Sequence, residues 1–80
     1  MTIWIISFTL RGARLAARLA GRLPEARAFS MARYAAGTGT EPVEELALWC
    51  RTAWEQAQGL IFVGAAGIAV RSVAPLLRKK

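Results

Sequence analysis

Residues 60–77, Leu-Ile-Phe-Val-Gly-Ala-Ala-Gly-Ile-Ala-Val-Arg-Ser-Val-Ala-Pro-Leu-Leu, decide how this chain folds. Leu60 to Val63 is wholly apolar, as a strand buried on both faces of a parallel sheet must be. Gly64 and Gly67 then interrupt the run three residues apart. The continuation, Ala65 to Ala74, reads as a helix carrying a single charge, Arg71. A strand that turns directly into a helix amino terminus lines the ligand crevice of open α/β sheets. Pro75, which lacks an amide hydrogen, stops or kinks that helix.

The rest of the chain repeats this alternation. Thr2 to Thr9 is rich in β-branched and aromatic residues and reads as a strand. Leu10 to Leu23 has helical spacing, with Leu15, Ala16, Leu19, Ala20 and Leu23 on one side and Arg11, Arg14, Arg18 and Arg22 on the other. Gly21 and Pro24 end it. Glu25 to Met31 is a weaker, more polar strand, and Ala35 to Thr40, with Gly37 and Gly39, is a loop. Thr40 is placed to cap the next helix, with Pro42 in its first turn and Glu41, Glu44 and Glu45 at its positive end. On that helix Val43, Leu46, Ala47, Cys50, Ala53, Trp54 and Ala57 share the core face, while Leu48 and Trp49 point elsewhere.

The pattern β-α-β-α-β-α predicts a three-layer α/β domain built on a mainly parallel sheet with right-handed crossovers. Short crossovers permit strand order 2-1-3 or 3-2-1. The polar second strand belongs outside and the most apolar strand inside, which favours 2-1-3. Residues 1–80 form one domain, too small to bury more than ~60% of its unfolded surface. Its three tryptophans and its doubly apolar edge strand imply partner surface, from a further strand beyond Lys80 or from another copy. The chain therefore reads as an amino-terminal piece of a longer protein.

Composition narrows the function. Eleven consecutive apolar residues from Leu60 to Val70 are too few for a bilayer span, which takes roughly 18 or more. No secretory signal is visible, and a single cysteine, Cys50, fits a reducing cytoplasm and reads as a small core residue. With no histidine and no second cysteine, neither a protein-held metal nor another cofactor is expected. The formal charge of +6 gathers in six arginines between residues 11 and 33 and in Arg71, Arg78, Lys79 and Lys80, most simply a compositional bias, with the stripe Arg11, Arg14, Arg18 and Arg22 a solvated face. Aromatic residues do not interleave with them as single-strand binders require, so no nucleic-acid partner is expected.

In order 2-1-3 the first and third strands are neighbours whose following helices cover opposite faces. Their carboxyl ends form a switch point suited to an anionic ligand. One wall is Ser7-Phe8-Thr9-Leu10-Arg11-Gly12. The other is Gly64-Ala65-Ala66-Gly67, with Arg71 one turn further on. Each residue also has a plainer reading. Gly64 and Gly67 serve close packing or a tight turn equally well, and Ser7 and Thr9 suit backbone bonding at a strand end. Arg71, in an apolar helix, needs a carboxylate from the protein or from a ligand. The Gly-x-x-Gly spacing is neither a dinucleotide fingerprint nor a P-loop.

Both walls resemble the cobalamin biosynthesis protein G family, the cobalt-precorrin-5A hydrolases. The opening Ser7 to Gly12 followed by Leu15-Ala16 and Leu19-Ala20 is similar, and the block from Leu60 to Leu77 is more so. A Glu-Glu-Leu helix like that around Val43 to Leu46 precedes the block in the family. Many members carry threonine where this chain has Ala66, so no hydroxyl role carries over there. The resemblance implies an amino-terminal domain of a multi-domain enzyme of anaerobic vitamin B12 synthesis. That enzyme opens the δ-lactone of cobalt-precorrin-5A and releases acetaldehyde, giving cobalt-precorrin-5B. The substrate is a polycarboxylated corrinoid that carries its own cobalt. Ser7, Thr9, Gly12, Gly64, Gly67 and Arg71 are the residues expected to meet its carboxylates. The partners expected are this substrate and either the remaining domains or a further copy of the chain. A non-catalytic ligand-binding or protein-interaction module is the alternative.

Overall fold

The computed structural model describes residues 2–64. Within them the order is β1 (Ile3–Ser7), α1 (Leu10–Arg22), β2 (Ala26–Met31), α2 (Ala32–Ala35), β3 (Glu41–Val43), α3 (Leu46–Gln56) and β4 (Gly59–Val63). The four strands form one sheet in the order β3-β2-β1-β4, and every pairing is parallel. β1 is central, with Ile3 to Ser7 facing Ala26 to Ser30 on one side and Gly59 to Val63 on the other. The expected order 2-1-3 is therefore present as β2-β1-β4. The helix expected over Ala65 to Ala74, its end at Pro75, and the site residues Gly67 and Arg71 lie outside the described residues.

Side-chain alternation divides β1 between two cores. Ile5 packs with Ala28 and Ala16 beneath α1, and Leu19, Ala20, Leu23 and Val63 close around them. Trp4, Ile6 and Phe8 face the other way, joining Phe29, Val43 and α3's Trp49, Cys50 and Ala53. The second core is largely aromatic. Trp4 stands 4.9 Å from Phe29 and 5.9 Å from Trp49, and Phe29 meets Trp49 edge-on at 5.3 Å between ring centroids. Such pairs add ~0.5–1.5 kcal/mol each beyond the area they bury. α1 and α3 thus cover opposite faces of the sheet.

Five expectations are corrected. β2 is not the edge, since β3 lies outside it and Ala28, Phe29 and Ser30 are buried. Pro42, expected in the first turn of a helix, sits in β3 instead, an edge strand where a residue without an N–H is tolerated. α3 consequently starts at Leu46, with Glu45 as its N-cap and no side-chain capping bond. Its buried face is also turned from the one expected. Trp49 is 8% exposed and Trp54 44%, and Ala47 is exposed. On α1, Leu15 likewise points to solvent, while Leu48 on α3 is exposed as expected.

Thr40 does not cap a helix. Its hydroxyl lies 2.7 Å from that of buried Ser30 and 2.7 Å from that of Thr38, which donates to the Ala35 carbonyl at 2.7 Å. This chain of hydroxyls fastens the turn through Gly37 and Gly39, both at positive φ, against the carboxyl end of β2.

Candidate functional site

The strand pairing brings the first wall of the expected crevice against the second. Ser7 and Val63 are register partners, so the carboxyl ends of β1 and β4 lie side by side. Thr9 follows β1 in extended conformation and caps α1, its Oγ1 accepting a 2.9 Å hydrogen bond from the Gly12 amide. Gly12 is buried beneath that cap. A β-carbon there would stand 3.0 Å from Thr9 Oγ1, 3.2 Å from Ser7 Cβ and 3.5 Å from Val63 Cγ1. Only a glycine lets α1 start this close to both strands. Gly64 is exposed and holds φ +96°, a backbone conformation that costs other residues strain.

Ser7, Thr9, Gly12 and Gly64 are therefore gathered at one edge of the sheet, with different things to offer. The Ser7 side chain is fully buried, and its hydroxyl donates to the Phe29 carbonyl at 3.3 Å. Thr9 is exposed, although its oxygen already serves the helix start. Gly12 contributes fit, and Gly64 contributes the turn out of β4.

The same edge holds a hollow that sequence reasoning missed. Phe8, Met31, Arg33, Tyr34 and Leu46 line about 270 Å³ between the ends of β1 and β2 and the start of α3. Arg33 lies over the Tyr34 ring at 5.7 Å. Arg33 and Tyr34 fall between the expected strand, Glu25 to Met31, and the expected loop, Ala35 to Thr40, and belong to neither. The one signal for them is their position directly after β2, where an open α/β sheet presents ligand-facing residues. Two helices, α1 and α3, also begin at this edge, from opposite faces of the sheet.

An open, all-parallel α/β domain with its switch point between β1 and β4 is the class of protein these features define. The particular family enters through residues 48–80, which match the family model described as Cobalamin synthesis G N-terminal. That stretch of the chain is similar to the amino-terminal domain of the cobalamin synthesis G family. It runs from α3 through β4 and takes in Gly64, Gly67 and Arg71, whereas Ser7, Thr9 and Gly12 precede it. No curated protein and no solved structure gave a significant match. No helix among the described residues is long and apolar enough to cross a membrane.

Proposed function

We propose that the chain is the amino-terminal domain of a cytoplasmic cobalt-precorrin-5A hydrolase, helping to hold the substrate while its δ-lactone is opened and acetaldehyde leaves. The observation that carries this reading is the pairing of β1 with β4, because it sets the family-matched strand beside the Ser7 to Gly12 wall. The ligand is a cobalt-corrinoid rich in carboxylates, with its cobalt part of the substrate. Backbone amides around Thr9 and Gly64, together with Gly67 and the guanidinium of Arg71, suit such a ligand by charge, while Gly12, whose amide is given to Thr9, supplies the close fit of the wall. Ser7 acts from below, holding β1 to β2. A guanidinium clamps a carboxylate through two parallel N–H donors, which orients as well as attracts. The remaining domains of the protein, or a further copy of the chain, complete the enzyme.

The test uses the full-length protein and purified cobalt-precorrin-5A, with released acetaldehyde followed by a coupled aldehyde reduction. Arg71→Ala is expected to lower kcat/KM by roughly 30-fold or more, the usual loss when one partner of a desolvated charge pair is removed. Unchanged kinetics would take Arg71 out of the site. Absence of acetaldehyde from the unaltered protein would discard the hydrolase reading.

A second reading, a binding module without chemistry of its own, is favoured by one observation. The hydroxyl of Ser7, the serine nearest the crevice among the described residues, is spent on a backbone carbonyl and is sealed from solvent. Substrate binding by this domain without turnover, measured calorimetrically, is the result that reading expects.

A further inference from the structure

Among the described residues, α3 alone lies on its face of the sheet. Four strands at ~4.8 Å spacing make a surface about 14 Å wide between the outer strands, and one helix is ~10 Å across. α3 lies over part of it, leaving a groove of about 420 Å³ along β3 and β2 whose floor includes Trp4, Phe29 and Trp49. Beneath that floor the Nε1 atoms of Trp4 and Trp49 are sealed from solvent with no hydrogen-bond partner among the described residues. Leu48, 57% exposed, stands on the rim together with Glu44 and Glu45. Glu41 is on the same rim but is already bound by Arg27 through two bonds of 2.7 and 2.9 Å.

The opposite face of the molecule carries the converse. Leu10 and Leu15 of α1 are 43% and 42% exposed among Arg11, Arg14 and Arg18, and these five residues bound a hollow of about 550 Å³. One surface is apolar with an acidic rim, and the other is apolar with a basic rim. Because α1 and α3 lie on opposite sides of the sheet, no single molecule can bring the two together.

We propose that the outer face of α1 docks in the α3–β3 groove of a second copy of this chain, setting Arg14 and Arg18 against Glu44 and Glu45 and Leu15 against Leu48. The contact joins two different surfaces, so it propagates head to tail unless the rotation closes a ring. It buries the exposed leucines on both sides. The net charge of +6 opposes association in general, so the contact depends on the local complementarity of the two rims.

Sedimentation velocity of the 80-residue chain between about 5 and 500 μM tests this, with circular dichroism as the check on folding. The expected result is a mass that rises with concentration and an affinity at least tenfold weaker in 500 mM than in 50 mM salt, since exposed charge pairs are screened. Glu44→Arg with Glu45→Arg, and separately Arg14→Glu with Arg18→Glu, each abolish self-association. Mixing the two variants restores it, as does combining all four changes. Leu48→Ser, at an exposed position, gives an independent arm that weakens association without altering charge. A monomer at every concentration overturns the proposal. So does association indifferent to the charge reversals, which would point to the β4 edge, or binding of α1 to anionic vesicles without self-association.

Discussion

Gly12 offers the sharpest test of how closely the crevice walls are packed. In Gly12→Ala the new methyl meets Thr9 Oγ1 at 3.0 Å and Ser7 Cβ at 3.2 Å, both tighter than ordinary contact, and Val63 Cγ1 at an acceptable 3.5 Å. Neither close neighbour is free to retreat, because Ser7 is fully buried on the central strand and Thr9 is engaged as the cap. Overpacking of this kind costs ~1–3 kcal/mol. Against it stands the helix preference for alanine, at most ~1 kcal/mol and less in the first turn. Overpacking wins, and the expected net loss is about 1 kcal/mol, a fall in Tm of roughly 4–8 °C for a domain of this size. Urea unfolding followed by tryptophan fluorescence reads it. A double-mutant cycle sharpens the test. Thr9→Ala alone should cost ~0.5–2 kcal/mol for the lost cap. With Thr9 Oγ1 gone, adding Gly12→Ala should cost measurably less than it does alone. If Gly12→Ala is as stable as the parent, the close approach of α1 to β1 and β4 does not constrain this position.

Other consequences follow from single contacts. Hydrogen bonds from Arg27 hold the Glu41 carboxyl below its ordinary range, against a smaller opposing effect of burial. A carboxyl depressed in the folded state stabilises the fold above its unfolded pKa, and that support is lost as pH falls through the folded value. Glu41→Gln should therefore cost under ~1 kcal/mol at neutral pH, as exposed pairs do, and should flatten the acid limb of the stability curve measured below about pH 5. Arg27→Ala should cost more, because its guanidinium also lies 4.8 Å from the Trp4 ring and 5.0 Å from that of Phe29. Cys50 is 1% exposed, so a thiol reagent should label it only as fast as the domain opens. Labelling at the rate of a free thiol would place Cys50 outside the core.

What the sequence made legible was set by apolar pattern. β1 and β4 are dense in β-branched and aromatic residues, and their adjacency followed from asking which strands tolerate an edge. The short elements were not legible. Glu41-Pro42-Val43 has three residues and a proline, and acidic residues beside a proline look the same at a helix start as on a sheet edge. Counting Val43 as helical then turned the predicted face of α3. The true stripe runs through Leu46, Trp49, Cys50, Ala53 and Ala57, on a helix that begins at Leu46, five residues after the expected start behind Thr40. At the crevice, Gly12 was seen as a wall residue, but the sequence could not distinguish an amide offered to a ligand from one given to Thr9. Arg33 and Tyr34 escaped because their placement depends on α2, a single turn with no periodicity to detect.

The three linked hydroxyls near β3 have a definite direction, and it follows by elimination. Thr38 gives its only hydroxyl proton to the Ala35 carbonyl, so between Thr38 and Thr40 the donor is Thr40. Thr40 has then spent its own, so Ser30 must supply the proton for the remaining bond. Traffic along the line is one-way, from the sealed interior of the sheet outward to the end of α2. Thr40 is the sole junction: removing either terminus severs one link between hydroxyls, whereas replacing Thr40 by valine severs both and leaves β3 moored by its backbone rungs, the Arg27–Glu41 pair and the burial of Val43.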